Sequence, residues 1–335
     1  MSAAGDAELA ADLAALRSGC AVATEPARAL LVATGSDRAS FLQGMLSNEV
    51  AKLVPGEGRR ALLLDEQGRV VAEMGVIVRA DAILLDVARD SAGRVRSALE
   101  RFVVADDVEF GVGSREAVVL RGPGAAGALA RAAAAPGASP DEAALAGLAP
   151  GSHVEVAAGA ASAISVSDGA GGFVAWAPDA PGAEALRAAL VAAGARAVSP
   201  LALEADRVAR GIPREDVDLD ERTLAPEVPA FADAISYRKG CYLGQEVVER
   251  VAARGKVNWL VTGLRAGPGA DLPPAGAIVH LEDRDVGRVS SAVRLPGNEG
   301  IAMLARIRRE AVESGATLRV EAGGGRIDAA PIGRG

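Results

Sequence analysis

The sequence predicts an α+β fold of more than one unit, and three observations support this prediction. Segments with the period-2 pattern of strands alternate with segments of helical spacing along most of the chain. Half of the residues are hydrophobic but only 3% are aromatic, so alanine, valine and leucine must fill the cores. The length of 335 residues exceeds what a single hydrophobic core usually serves, which indicates two or three domains.

The first unit is expected to end near Phe110. An amphipathic helix at residues 1–19 precedes this unit, and Ser36 and Asp37 are candidate caps for the helix that follows its first strand. The expected elements are a strand at 27–35, a helix at 36–46, a hairpin at 60–78 that turns at 66–68, a strand at 83–88 and a helix at 91–103. This mixture predicts an α+β unit.

The stretch from Glu116 to Ser199 predicts a small ferredoxin-like unit of the split βαβ type. The expected elements are a strand at 116–122, a helix at 125–135, a strand at 153–157, a hairpin at 163–177 that turns at 168–169, and a helix at 182–194. The segment GPGAAG at 122–127 matches a dinucleotide-binding glycine pattern, but Pro123 removes an amide donor and no second strand ending in an acidic residue follows. A plain helix-opening turn is therefore expected there.

The remainder of the chain, from Trp259 onward, is rich in strand-forming residues. Glycine- and proline-rich turns interrupt it at 267–276 and 296–300. This pattern favours a small barrel or sandwich.

Charge and cysteine content limit the function classes and the location. The formal charge of −8 argues against non-specific binding to nucleic acid or to an anionic membrane. Cys20 and Cys241 lie far apart and neither belongs to a CxxC pair, so no disulfide framework is expected and a reducing cytoplasm is the predicted location. Asp6 and Glu8 stand where a secretory peptide would be basic, and apolar runs end well before the ~18 residues of a membrane span.

Metal binding is not expected from this composition. The soft donors are His153, His280 and the two distant cysteines, too few for a closed zinc site or a permanently held iron–sulfur cluster. Both histidines stand in strand-like apolar surroundings, which predicts satisfied structural residues.

The octapeptide KGCYLGQE, residues 239–246, carries the strongest chemical signal. Lys239 and Arg238 precede Cys241 closely, and a neighbouring cation favours the thiolate form of a cysteine. Gly240 and Gly244 allow a left-handed backbone or a close approach to a ligand. The alternative is a tight turn before a helix, with Cys241 as a small buried filler, since unpaired cysteines are often buried.

Residues 239–258, KGCYLGQEVVERVAARGKVN, resemble the signature of the YgfZ family. These are folate-binding proteins related to the aminomethyltransferase (T-protein) of the glycine cleavage system and to a mitochondrial iron–sulfur assembly factor. Residues 35–50, 61–78 and 207–227 resemble the family's opening helix, the hairpin after it and the stretch before the signature. The resemblance thus extends over most of the chain, and its specific part is the signature.

This resemblance implies a three-domain ring with folate in the central cavity. The implied domains are a discontinuous N-terminal folate-binding domain at 20–115 plus 199–250, a ferredoxin-like middle domain at 116–198 and a C-terminal β-barrel at 251–335. The implied cofactor is tetrahydrofolate or a one-carbon derivative, and Cys241 is the implied functional, catalytic residue. The implied cofactor-binding residues are Lys239, Gly240, Tyr242, Gly244, Gln245, Glu246, Arg250, Asn48 and Arg207.

The resemblance also implies a function: a folate-binding accessory protein that supports iron–sulfur cluster assembly or repair. Expected partners are folate, iron–sulfur enzymes or assembly proteins, and tRNA-modifying enzymes, without a membrane or sequence-specific nucleic acid. The chemistry of Cys241 stays open among nucleophilic attack, disulfide exchange and transient contact with a cluster.

The alternative is an aminomethyltransferase that transfers a one-carbon unit to tetrahydrofolate. T-proteins place a catalytic Asp shortly after an Asn-Ala pair, whereas the nearest stretch here, Asp86 to Arg94, has no Asn and offers only Asp90. Many YgfZ relatives read RIEAG where this chain has RVARG, so Ala209 replaces the acidic residue that would meet the pterin edge. Glu204 is nearby but out of register.

Basic residues concentrate around the signature of this otherwise acidic chain. They are Arg238, Lys239, Arg250, Arg254 and Lys256. They suit a polyglutamate tail or an RNA phosphate, or they form an ordinary solvated helix face; the sequence leaves both open.

Overall fold

A computed structural model describes residues 3–25, 27–133, 140–158, 161–255 and 257–332 of the chain. The helices are α1 (Ala3–Ser18), α2 (Arg38–Met45), α3 (Ala92–Glu100), α4 (Ala125–Ala132), α5 (Glu142–Ala146), α6 (Ala180–Ala192), α7 (Pro200–Ala209), α8 (Glu215–Asp218), α9 (Gln245–Arg254) and α10 (Arg309–Glu313). The first eleven strands are β1 (Ala21–Thr24), β2 (Arg28–Thr34), β3 (Gly58–Leu64), β4 (Val70–Val78), β5 (Ile83–Ala88), β6 (Glu109–Val112), β7 (Glu116–Arg121), β8 (His153–Ala158), β9 (Ala161–Ser167), β10 (Phe173–Ala177) and β11 (Arg196–Ala197). The later strands are β12 (Trp259–Ala266), β13 (Ile278–Leu281), β14 (Arg284–Arg294), β15 (Ile301–Arg308), β16 (Leu318–Ala322) and β17 (Gly325–Pro331).

The first unit is an antiparallel five-stranded sheet in the order β3-β4-β5-β2-β6. Strand alternation gives it two distinct faces. On the outer face, Leu31 and Leu85 pack in one core with α2 and α3. On the inner face, Leu30 and Leu84 belong to a different cluster. The sheet is therefore buried on both faces along β2 and β5.

The second unit is a six-stranded sheet in the order β11-β1-β7-β10-β9-β8. Its outer face packs against α4 and α6 through side chains such as Leu129 and Leu186. On its opposite face, Ile164 and Trp176 pack against Leu30 of the first sheet. The two sheets thus lie face to face between two layers of helices.

The third unit is a closed barrel in the order β12-β15-β14-β13-β16-β17. Buried aliphatic side chains such as Leu264, Ile307 and Val320 fill its core. The α+β class and the C-terminal barrel predicted from the sequence are confirmed. The alternative of a sandwich in this region is wrong, because the sheet closes on itself.

The part of the chain that follows the second unit returns to pack against the first unit. Phe231, Tyr242 and Val248 pack against Leu62 and Leu64, on the inner face of β3. In the same stretch, α7 packs against α1 and against the barrel. The inner face of the first sheet is therefore covered by the second sheet at β2 and β5, and by returning chain at β3.

Some local features differ from the expectations. Asp37 is the N-cap residue of α2, but its carboxylate accepts a hydrogen bond from the backbone of Asp107 and makes no cap bond. The Ser36 hydroxyl donates to the Asp107 carboxylate, so both predicted caps bind a neighbouring loop. The short strand β1 was not expected, and it joins the second sheet although it precedes the first unit. The domain boundaries themselves stay a prediction.

Candidate functional site

The signature lies across the edge of the five-stranded sheet, of which β3 is the outermost strand. Tyr242 packs with Leu62 and Leu64 in the apolar core on the inner face of β3. Leu243 packs against the outer core, and its backbone N–H donates to the carbonyl of Gly44 at 3.0 Å. Cys241, immediately before these two anchors, is exposed. The interpretation of Cys241 as a buried filler is therefore wrong, whereas the turn before a helix is present.

Lys239 fastens this turn to the end of α2. Its buried ammonium donates to the backbone carbonyls of Gln43 at 2.6 Å, Leu46 at 2.5 Å and Asn48 at 3.0 Å. A cation suits this position, because the last carbonyls of a helix carry partial negative charge. Burial lowers the pKa of Lys239 to about 8, against the opposing attraction of Glu49. The lysine expected to assist Cys241 thus has its donors directed at backbone oxygens.

The glycine at the start of α9 is required by a close approach. Gly244 has φ +80°, and a Cβ on it would lie 2.4 Å from the carbonyl oxygen of Asp65 in the β3–β4 turn. Gly240, by contrast, faces open space. The side chain of Gln245 accepts from the backbone N–H of Tyr242 at 3.1 Å and closes the turn. Gly244 and Gln245 therefore hold the signature in shape.

Two other predicted ligand residues are engaged within the protein. The Asn48 amide donates to the carbonyls of Arg60 and Asp233, both at 2.9 Å, and its oxygen accepts from the backbone of Glu49. Arg207 lies in a separate network, where its guanidinium binds Asp218 at 2.6 Å and also Glu204, Ile212 and Ser291. Asn48 thus lies beside the signature and Arg207 does not contact it; their predicted folate contacts stay predictions.

The remaining predicted residues lie on or beside α9. The side chains of Glu246 and Arg250 are exposed, and neither makes a hydrogen bond or ion pair within the described part of the chain. The hydroxyl of Tyr242 is buried and finds no partner among the described residues. The side chain of Arg254 and all of Lys256 lie outside the described residues, so the predicted basic cluster is seen only in part.

A group of charged side chains lies on the inner face of the first sheet, between its two covered regions. Arg60, Gly75 and Asp86 are direct neighbours across β3, β4 and β5. The Nε of Arg60 binds Glu73 at 2.8 Å, and the Nε of Arg28 binds Asp86 at 2.6 Å. We call these four charged residues around Gly75 the inner-face cluster.

The inner-face cluster is partly open to solvent. The side chains of Arg28 and Arg60 keep 29% and 30% of their surface exposed. Desolvation acts to lower the pKa of both arginines, but ion pairing with Asp86 and Glu73 outweighs it and raises each pKa. Partial exposure together with strong desolvation indicates a recess between the two covered regions of the sheet. Ligand sites are commonly concave.

Asp86 has an acidity suited to proton exchange near neutral pH. Desolvation raises its pKa to about 6, and this effect exceeds the opposing attraction of Arg28. Nearby Glu73 raises it further, while Arg121 on β7 lowers it. Carboxyl groups with such shifts concentrate at functional sites.

The inner-face cluster was not predicted from the sequence. Strand alternation could have revealed it. Asp86 lies between Leu85 and Val87 in ILLDVA, so its side chain points to the face of the sheet opposite to theirs. Asp90, which the sequence offered instead, is exposed in the short turn after β5. Ala209, where relatives carry an acidic residue, is buried in the apolar cluster between α7, α1 and the barrel.

The histidines lie away from the signature, each within a strand. His280 is buried in β13, where its Nε2 hydrogen-bonds to Glu321 at 3.1 Å; its Nδ1 lies 3.0 Å from an Asp285 oxygen but makes no hydrogen bond among the described residues. His153 is buried in β8, but its Nδ1 has no partner among the described residues, so it is not fully satisfied.

The described residues hold no group of three or more His, Cys, Asp or Glu suited to a metal ion. Of the helices the structure describes, none has the length and hydropathy to cross a bilayer.

Comparison with known proteins gives a distant match in sequence. No protein-family model matches the chain. A protein of Arabidopsis thaliana, "Putative transferase At1g60990, chloroplastic", is 23% identical over 295 residues, which are 86% of this chain and 65% of that protein. The chain thus spans less than two thirds of that relative's length.

Solved structures give a closer match in fold. The glycine cleavage system aminomethyltransferase T from Bartonella henselae aligns with a TM-score of 0.79 and 17% identity, over 97% of this chain and 88% of that one. Heterotetrameric sarcosine oxidase from Corynebacterium sp. U-96 aligns over 55% of this chain with a TM-score of 0.37 and 18% identity. The protein therefore has the α+β fold of the aminomethyltransferase T of the glycine cleavage system, and this fold includes a C-terminal β-barrel.

Proposed function

We propose that the protein binds tetrahydrofolate or a one-carbon derivative at the inner-face recess. The pterin ring of a reduced folate presents N–H donors beside carbonyl and ring-nitrogen acceptors along one edge. Carboxylates such as Glu73 and Asp86 accept from such donors, and guanidinium groups such as Arg28 and Arg60 donate to such acceptors. The two arginines also suit the carboxylates of the folate tail. Support comes from this donor and acceptor set and from the shared fold.

Within this proposal, the protein is an accessory to iron–sulfur cluster assembly or repair and to tRNA-modifying iron–sulfur enzymes in the cytoplasm. The observation that carries the proposal is the exposed thiol of Cys241 on a turn held from both sides. Lys239 and Leu243 bind the end of α2, and Gly244 packs on the β3–β4 turn. Such anchoring holds a reactive group in place while it stays open to a partner protein.

Complementation tests the accessory role. In a strain that lacks its YgfZ-type protein, Cys241→Ala is expected to abolish rescue, whereas Cys20→Ala, at a half-buried position in the second unit, is expected to retain it. Folate titration of the Cys241→Ala protein is expected to match the unmodified protein, because Cys241 is outside the inner-face cluster. Full rescue by Cys241→Ala contradicts a chemical role for the sulfur.

A second candidate function is aminomethyl transfer to tetrahydrofolate, and two observations favour it. The fold is that of an aminomethyltransferase. In addition, Asp86 in the recess has a pKa near 6, which suits general acid–base catalysis at neutral pH. Turnover with aminomethyl-lipoyl carrier protein and tetrahydrofolate, lost in Asp86→Asn, would favour this candidate over the accessory role.

A further inference from the structure

Asp86 has one carboxylate oxygen that the protein leaves unpaired. Its Oδ1 accepts from the Nε of Arg28 at 2.6 Å. Its Oδ2 has no hydrogen-bond partner among the described residues and is not one of the buried unpaired atoms, so it keeps solvent contact. A carboxylate oxygen that is open to solvent and unpaired within the protein is available to the N–H donor of a ligand.

Gly75 provides the opening beside this oxygen. Gly75 stands directly opposite Asp86, in the row between Asp86 and Arg60. A Cβ on Gly75 would lie 3.4 Å from the Cβ of Asp86 and 3.7 Å from Oδ2. These are ordinary contact distances, and the φ of Gly75 is not positive, so the fold would accept an alanine there. The glycine therefore leaves the space of at least a methyl group unfilled next to Oδ2.

The other acidic groups are placed differently. Ala209 leaves no carboxylate where the family resemblance expects one, and Glu204 there is bound to Arg207. On the sheet, Glu73 resembles Asp86 in using one carboxylate oxygen on an arginine, since its Oε1 accepts from Arg60 at 2.8 Å. What distinguishes Asp86 is that its second oxygen, Oδ2, lies beside a glycine.

We infer that Asp86, reached through the gap at Gly75, is the acidic residue that accepts N–H hydrogen bonds from the ring of the bound folate. This inference rests on the proposed function and assigns to β5 the recognition that the resemblance places at position 209. Gly75 then determines specificity, because a side chain at this position would keep a flat ring away from Oδ2. Arg28 acts as a positioning residue, since it fixes the Asp86 carboxyl through Oδ1.

Calorimetric titration with tetrahydrofolate tests the inference through two variants. Asp86→Asn replaces the acceptor by an amide and is expected to weaken affinity about 10- to 100-fold, as for loss of a charged hydrogen bond. Gly75→Ala leaves Asp86 and Arg28 in place and is expected to weaken affinity by at least about 10-fold. Asp81→Asn, at an exposed position just before β5, is the matched control and is expected to bind like the unmodified protein.

The pH profile separates direct recognition from a structural role. The charged groups that face Asp86 are Arg28 on β2, Glu73 on β4 and Arg121 on β7. Protonation removes the acceptor, so the affinity of the unmodified protein falls as pH falls through about 6, while that of Asp86→Asn stays level. If the unmodified protein binds and both variants match it, or if Glu73→Gln alone loses binding, the inference is wrong and the proposed function stands. If the unmodified protein binds no reduced folate, the proposed function itself is wrong.

Discussion

The two cysteines of the chain have opposite surroundings. Cys241 is exposed at the sheet edge, whereas Cys20 is half-buried beside the second core, where desolvation raises the pKa of its thiol against the opposing charge of Arg131. Thiolate, rather than thiol, is the form that attacks reagents. We therefore expect Cys241 of the native protein to react quickly with a thiol-specific reagent and Cys20 to react slowly. Kinetics in which Cys241→Ala keeps the fast phase would contradict this assignment.

Lys239 is expected to contribute to stability rather than to sulfur chemistry alone. Lys239→Met removes the donor to three backbone carbonyls at the end of α2, and should lower the free energy of unfolding by about 1–3 kcal/mol. Denaturant titration measures the change. Arg238→Met is the matched control, because its exposed side chain makes no hydrogen bond within the described residues, and it should change stability by less than about 0.5 kcal/mol.

At the level of elements, the start of α9 depends on the backbone of Gly244. Gly244→Ala combines a left-handed backbone with a contact to the carbonyl of Asp65, and is expected to cost at least about 1–3 kcal/mol. Gly240→Ala, four residues earlier in open space, is expected to have little effect. Thermal unfolding of the two variants compares them. Equal melting temperatures would show that the close approach does not constrain the turn.

Elements with a clear hydrophobic period were predictable from the sequence. The β3–β4 hairpin, β5 and α3 all follow alternation or helical spacing, and all are present near the expected bounds. The four-residue strand β1 was missed because so short an apolar run carries no period. The caps at Ser36 and Asp37 failed for another reason, since both side chains bind a loop some 70 residues away in sequence.

At the level of the whole molecule, a buried network joins α7 and α8 to the barrel. Asp218 accepts from Arg207, and its other oxygen accepts from the hydroxyls of Ser290 and Ser291 on β14. Asp218→Ala leaves Arg207 without this partner, and should lower the free energy of unfolding by about 3–5 kcal/mol. Asp216→Ala, on the same helix but partly exposed, should cost less than about 1 kcal/mol. Similar losses in both variants would contradict the role assigned to the network.

The recess could not be predicted from the sequence, because its residues come together only in the folded sheet. Arg28, Arg60, Glu73 and Asp86 lie on four different strands, and each alone is an ordinary charge in or beside an apolar run. The signature was predictable because its eight residues are contiguous. The environment of the signature was not predictable, because the carbonyls that Lys239 binds, at the end of α2, are about 190 residues earlier in the chain.

A crystal structure of the protein with 5-formyltetrahydrofolate, a stable one-carbon derivative, would locate the ligand. We expect the ring to lie over Gly75 between Arg60 and Asp86, with a ring N–H about 3 Å from Oδ2 of Asp86. A ring bound away from the inner face of the first sheet, or crystals that hold no folate at saturating concentration, would contradict folate binding at this recess.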